Sequence, residues 1–291
     1  MARILGVGIA TLDIINSVAA YPPEDAEVRA LAQRVCRGGN CTNSLVVLSQ
    51  LGHDCAWGGV LADEPDAIRI TDDLNAFGID LAAVRRLAHG KVPTSYITLN
   101  QQNGSRTIVH YRDLPEYRYE DFQTVDLAGF DWLHFEGRNI ADTARMLELA
   151  RITRPQTPRS AEIEKPRPGI EQLFPLATLL LFSRAYVQAQ AGGEPAQFLH
   201  DMRQRAPQAD LILAWGEAGA WALSRSGQLI HSPAFPPPRV VDTLGAGDTF
   251  NAGIIDALAR RLTLAEALEA ACRLAGRKCG QAGLNFVGQY A

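Results

Sequence analysis

The 291-residue chain has no uninterrupted apolar stretch near the roughly 20 residues that a membrane helix needs. It has no basic excess either. Against 28 Lys and Arg stand 32 Asp and Glu, a net charge of −4, so a general binder of nucleic acid or of anionic membrane is not expected. The five cysteines, Cys36, Cys41, Cys55, Cys272 and Cys279, are odd in number and match no zinc spacing; reduced thiols in a cytoplasmic protein are the expectation. The apolar run at residues 3–10 has a faint look of a secretion signal, but Asp13 interrupts it early and no clear cleavage site follows. The pattern Gly-x-x-x-x-Gly-Lys-Ser/Thr is missing, which argues against a P-loop enzyme. Gly6-Val7-Gly8 follows an apolar run without the third glycine of a dinucleotide-binding turn, which argues against an NAD-dependent oxidoreductase. No internal repeat is present, and the proline-rich stretches 154–158 and 233–238 read as loops.

What is there is an alternation of short apolar runs with amphipathic stretches, in a chain that is 47% hydrophobic. Strands are predicted over residues 4–8, 57–61, 131–135, 179–182 and 211–215. Helices are predicted over 40–51, 66–77, 142–151, 246–261 and 264–279. Strands alternating with helices imply one α/β domain over residues 1–291, with a mostly parallel sheet and helices on both faces. Two stretches break the rhythm. Residues 12–35 are of mixed polarity, and residues 94–111 read as a hairpin around Asn103-Gly104. As insertions spanning about 12–36 and 92–112, they are expected to form a small β-rich lid that excludes water from a site beneath.

The segment with most chemistry is Val241-Asp242-Thr243-Leu244-Gly245-Ala246-Gly247-Asp248-Thr249-Phe250. Gly245 and Gly247 allow close backbone approach, and a helix starting near Ala246 leaves N–H groups pointing at the turn. Gly245-Ala246-Gly247 is therefore an expected anion hole, and Asp248 in the first helical turn an expected general base. Alone, Gly-x-Gly-Asp also fits a glycine turn with a dipole-stabilising acid. A second constellation, Arg37-Gly38-Gly39-Asn40-Cys41-Thr42-Asn43, opens a helix. Asn40 and Asn43 lie three apart on one helix face and suit vicinal hydroxyls, as does Asp13 after the first strand. Helix capping by Asn40 and turn formation by Asp13 are the structural alternatives.

The full Asp-Thr-Leu-Gly-Ala-Gly-Asp-Thr-Phe string closely resembles the signature of the ribokinase-like (PfkB-type) sugar kinases, and the Gly-Gly-Asn element resembles that family's N-terminal signature. The blocks 31–44, 104–108, 134–139, 162–167, 235–252 and 275–280 resemble in particular its fructose 1-kinase branch. The resemblance implies a ribokinase-like fold and transfer of the ATP γ-phosphoryl group to a primary hydroxyl of a ketose, with another sugar or a nucleoside as the alternative acceptor. It implies sugar contacts from Asp13, Gly39, Asn40, Asn43 and Asp248. It implies nucleotide contacts from Arg106, from Gly216, Glu217, Ala218 and Gly219, and from Gly245, Ala246 and Gly247. Mg²⁺, and a monovalent cation such as K⁺, belong to the same expectation, as does a homodimer through the lid with Asp25 reaching the partner's site. One departure is clear. Where many relatives carry Asn-x-x-Glu, this chain has Ser183-Arg184-Ala185-Tyr186. The Mg²⁺ ligands are therefore open, with Glu136 and Glu164 as candidates.

Overall fold

The computed structural model describes residues 1–190 and 192–285. The chain opens with β1 (Arg3–Val7), β2 (Thr11–Val18), β3 (Ala32–Gly38) and α1 (Asn40–Gln50). There follow β4 (Asp54–Gly58), β5 (Val60–Ala62), α2 (Pro65–Ala76), β6 (Arg85–Leu87), β7 (Thr94–Asn100) and β8 (Arg106–Tyr111). The middle of the chain forms α3 (Tyr119–Phe122), β9 (Trp132–Glu136), α4 (Ile140–Thr153), β10 (Arg159–Ile163), β11 (Leu179–Ser183), α5 (Arg184–Ala189) and α6 (Pro195–Arg203). It ends with β12 (Asp210–Ala214), β13 (Ala220–Leu223), β14 (Leu229–Ser232), α7 (Ala246–Ala259) and α8 (Leu264–Cys279).

Eight strands make the main sheet in the order β14-β13-β12-β11-β10-β9-β1-β4. From β4 to β12 every pair is parallel; β13 and β14 add an antiparallel edge. In β11 and β12, consecutive residues Leu179–Phe182 and Leu211–Leu213 are all buried. Successive side chains point to opposite faces, so both faces are covered, which is why these strands read as continuous apolar runs. Each such side chain contributes about 1.5–3 kcal/mol by leaving water. On the β1 side, α1 packs on β1, β4 and β9; α8 packs on β13 and β14, and α7 bridges α1 and α8.

The second sheet has the order β3-β2-β7-β8 and comes from the two stretches that broke the α/β rhythm. Its β2–β7 pair is parallel and its two outer pairs antiparallel. The register places Cys36, Asp13, Ser95 and His110 in one row and Val35, Ile14, Tyr96 and Val109 in the next. The two rows point to opposite faces.

Two expectations are corrected, and one strand is added to them. The strand read at 57–61 is two strands, broken at Gly59, where a Cβ would lie 2.1 Å from the Trp57 ring; β5 leaves the main sheet and pairs with β6. The hairpin is not closed by Asn103-Gly104 alone. A loop of residues 101–105 joins β7 to β8, with Gly104 N–H donating to Asn100 O and Asn103 Oδ1 accepting from Ser105 N–H. β10, a central strand, was not read from the sequence. Its Arg159, Ser160 and Glu162 are buried polar residues and break the apolar pattern.

Candidate active site

A cleft of about 580 Å³ lies at the C-terminal ends of β9 to β12, beneath the second sheet. This is where open parallel sheets present ligand sites. Its walls include Asp13, Gly39, Asn40, Asn43, Arg106, Gly245, Gly247 and Asp248, so the structure brings most of the expected site residues together. Along β8 the alternation sends Arg106, Ile108 and His110 into the cleft.

The glycine pair at the start of α1 is a packing necessity. A Cβ on Gly38 would meet the Asp13 carboxylate at 2.1 Å, and Gly39 sits at φ 104 with its Cβ position 2.3 Å from Ile9 O. Gly39 is the N-cap without a side-chain capping bond, so Asn40 does not cap the helix. Its Nδ2 donates instead to Glu162 Oε1 (3.2 Å). Asp13 lies within β2, not in a turn, and accepts from Thr11 Oγ1 (2.8 Å). Burial raises its pKa, and the Thr11 and Ser95 hydroxyls partly offset this.

Asp248 is in the first turn of α7 and is 7% exposed. Asn43 Nδ2 donates to its Oδ2 (2.6 Å), and Ser44 Oγ donates to its backbone O (3.1 Å). Among the described residues no hydrogen bond reaches Oδ1. Burial pushes the Asp248 pKa up to about 7; the Asn43 amide opposes the shift, and the Glu164 and Glu136 charges add to it.

The glycine turn is built by Gly245 at φ 80, the N-cap of α7. The N–H groups of Gly245, Gly247 and Asp248 have no acceptor among the described residues, whereas Ala246 N–H donates to Thr243 O (3.2 Å). Nothing lies within 4 Å of a Cβ placed on Gly247, so the space over the turn is open. Unpaired N–H groups at a helix start favour an anion. Asp242 anchors this loop. Its carboxylate accepts from Leu244 N–H (2.9 Å) and Gly283 N–H (3.1 Å) and pairs with Arg34 of β3 (3.2 Å). The Lys278 ammonium, fully buried, donates to Asp242 O (2.8 Å) and lies 3.4 Å from Asp242 Oδ2. Arg106 reaches over the loop to Thr243 Oγ1 (3.4 Å).

Glu162 was missed as a functional residue because β10 was missed. Its Oε1 accepts from Asn40 and from Asn251 Nδ2 (3.1 Å), while Oε2 is buried without a partner among the described residues. Burial, with the Asp248 and Glu136 charges, raises its pKa well above the usual carboxylate range. An orphaned buried carboxylate oxygen beside the cleft fits a cation. Glu136 is less available, since Oε2 accepts from Ile9 N–H (2.9 Å) and Oε1 faces Arg138 (3.5 Å). Glu164 lines the cleft and pairs with Lys165 (3.1 Å). No preformed cluster of three or more metal-binding side chains exists among the described residues. Gly216, Glu217, Ala218 and Gly219 do not line this cleft; they form the turn just past Ala214, which does. Arg184, in the departed motif, stands over the Trp215 ring (5.6 Å). Asp25 is exposed in the β2–β3 loop at φ 61.

Comparison with known proteins adds the following. The family model for pfkB family carbohydrate kinase matches residues 1–288. Ketohexokinase of Mus musculus is 45% identical over 294 residues, covering 98% of this chain and 98% of that protein. A fructosamine kinase of Bacillus subtilis is 24% identical over 252 residues, covering 84% of each chain. Among solved structures, a ribokinase from Giardia lamblia superposes with a TM-score of 0.85 at 14% identity, covering 98% of this chain and 96% of that one. An Arabidopsis thaliana ribokinase complexed with ribose and ATP gives 0.79 at 16% identity, over 97% and 94% of the two chains. At these identities the superpositions speak for the fold.

Proposed function

Because the chain belongs to the pfkB family of carbohydrate kinases, we propose that it transfers the γ-phosphoryl group of ATP to a primary hydroxyl of a ketose, with fructose to fructose 1-phosphate as its main reaction. One observation carries the reading: a buried carboxylate, Asp248, stands next to unpaired helix N–H groups in a cleft walled by hydroxyl-binding side chains. The near full-length similarity to the mouse ketohexokinase supports the ketose.

In this reading Asp13, Asn40, Asn43 and the backbone at Gly39 hold the sugar hydroxyls. Asp248 Oδ1, free of protein donors, takes the proton of the attacking hydroxyl as its oxygen bonds to the γ-phosphorus. The bond from the γ-phosphorus to the bridging oxygen breaks in line and ADP leaves. The negative charge on the transferring group meets the N–H groups of the 245–248 turn. A base with a pKa near 7 is matched to this task at neutral pH. The nucleotide extends from Gly245-Ala246-Gly247 and Arg106 past Ala214 to the turn at 216–219. The family uses Mg²⁺ with ATP; Glu162 and Glu164 would hold it here, and it would neutralise phosphate charge. The position of Arg106 and Arg34 over the loop supports the second sheet as a lid.

The finer parts of the proposal have their own supports. The row Val35, Tyr96 and Val109 is 41%, 47% and 65% exposed on the outer face of the lid, which fits a homodimer through that face with Asp25 reaching across. Five free thiols fit the cytoplasm. A monovalent cation such as K⁺ is tested by adding KCl to an assay buffered with choline salts. The substrate proposal is tested by ADP release across ketoses, aldoses and nucleosides. Fructose should give the highest kcat/KM; a nucleoside or an aldose in that place would overturn it.

A further inference from the structure

Asn43 is engaged at both ends of its amide. Nδ2 donates to Asp248 Oδ2 (2.6 Å), and Oδ1 accepts from a guanidinium N–H of Arg37 (2.7 Å). Arg37 is the penultimate residue of the lid strand β3, yet its side chain is 4% exposed. The same nitrogen donates to Thr42 Oγ1 (3.1 Å), and Nε pairs with Asp73 of α2 (2.5 Å), whose side chain is 39% exposed. The result is one chain of partners, Asp73–Arg37–Asn43–Asp248, running from the surface of α2 through the lid to the acid beside the glycine turn.

An amide can sit either way round, and its partners decide which. Arg37 has donors and no acceptor. If the Asn43 amide turned over, its NH₂ would face a guanidinium N–H, and its carbonyl oxygen would face the Asp248 carboxylate. Both contacts would be repulsive while Asp248 is ionised. The turned amide would hold Asp248 in its protonated form, useless as a base. From this geometry we infer that Arg37 is a positioning residue: it fixes the Asn43 amide so that an N–H faces Asp248, and thereby keeps the base oriented and ionisable, with Asp73 holding Arg37 in place. The inference rests on Asp248 being the base.

A cation in this position also acts through space. Around Asp248, the Glu136, Glu162 and Glu164 carboxylates resist its ionisation, the Asn43 amide and the Arg37 charge favour it, and the buried Cys41 thiol, pushed up by burial and by the nearby carboxylates, stays neutral. Removing Arg37 takes away one support directly and the other by freeing Asn43. The rise of kcat/KM with pH should then move to higher pH, because a base must lose its proton to act. The loss should be on the order of 10-fold at pH 6.5–7 and smaller at pH 8.5.

The experiment is the pH profile of kcat/KM for Arg37→Met, Arg37→Lys, Asp73→Asn and Asp248→Asn beside the unaltered protein. Arg37→Met should move the acid limb to higher pH. Arg37→Lys, with one ammonium for the three partners Asp73, Thr42 and Asn43, should move it less. Asp73→Asn, at a half-exposed site that leaves the fold intact, should move it least but in the same direction. In one further variant, Arg37→Ala, millimolar guanidinium should return part of the activity, which a packing role alone would not allow. A pH-independent loss in Arg37→Met, with the acid limb unmoved in Arg37→Lys and Asp73→Asn, would overturn the inference. If Asp248→Asn itself keeps turnover, the base assignment has failed instead, and the two failures are thus told apart.

Discussion

Replacing Asp248 by Asn should disable the enzyme and stabilise the protein. The substitution keeps shape and volume, and the new amide oxygen can accept from Asn43 Nδ2 as the carboxylate does at 2.6 Å. The side chains proposed to clamp the sugar, Asp13 and Asn40, are untouched. What is lost is the proton acceptor, so kcat should fall about 10²–10⁴-fold, or about 3–5 kcal/mol of transition-state stabilisation. The stability effect has the opposite sign. The Asp248 pKa is 3.8 in the unfolded chain and about 7 in the folded protein. Between those values the folded state binds more protons than the unfolded state, so stability falls as pH rises through this window. Above pH 7 the cost is on the order of 4 kcal/mol, at 1.36 kcal/mol per pKa unit. Asn carries no such cost and lifts the repulsion from Glu136, Glu162 and Glu164. Thermal melts should therefore show Asp248→Asn above the unaltered protein at pH 8 and level with it near pH 4. Turnover is read by ADP release and sugar affinity by calorimetry. A kcat within 10-fold of the unaltered value would refute the base; a lower melting temperature at pH 8 would refute the electrostatic cost.

Four further outcomes are expected. Glu162→Gln should raise the half-saturating Mg²⁺ concentration roughly 10–100-fold with little change in the KM for sugar; an unchanged Mg²⁺ titration would remove Glu162 as its holder. Gly247→Val should fold normally, since nothing lies within 4 Å of its Cβ position, while kcat/KM for ATP falls on the order of 10²-fold; unaltered ATP kinetics would mean that phosphate does not pass over this turn. Lys278→Met, which strips a buried cation from Asp242, should cost about 3 kcal/mol, seen as a fall of several degrees in the melting temperature; a shift below one degree would show that the pair contributes nothing. The unaltered chain should sediment as a dimer and Val109→Glu, on the outer row of the lid, as a monomer; a monomeric unaltered chain would remove the dimer from the proposal.

Several parts of this structure were legible in the sequence for physical reasons. The two C-terminal helices and α1 were read because their apolar spacing is regular and glycine or prolonged polarity ends them. The parallel strands β11 and β12 were read because burial on both faces leaves nothing but apolar residues. Asp248 and the glycine turn could be placed at one helix start because a short, specific string holds them together. β10 was hidden for the opposite reason. It is central and buried, yet carries Arg159, whose guanidinium donates to the Thr157 and Leu176 carbonyls, Ser160, which meets Trp132 and His134, and Glu162, whose Oε1 accepts from Asn40. Glu162 vanished from view with it. The pairing of Asn40 and Asn43 on one helix face was legible, and sugar binding is the role proposed for them, but their ties to Glu162 and to Arg37 depend on folding β10 and the lid over α1. The burial of Lys278 against Asp242 becomes visible once α8 is docked.

The central claim is transfer from ATP to a primary ketose hydroxyl. It is tested most directly by incubating the protein with MgATP and fructose and recording a phosphorus–proton correlation spectrum of the product. A phosphate on the 1-hydroxyl correlates with a CH₂ pair that has no vicinal proton, since the neighbouring carbon carries none. The expected result is that isolated pair, in amounts equal to the ADP formed. A correlation to a CH₂ coupled to a neighbouring CH would place the phosphate at the other end of the sugar, and ADP without any sugar phosphate would contradict the transfer itself.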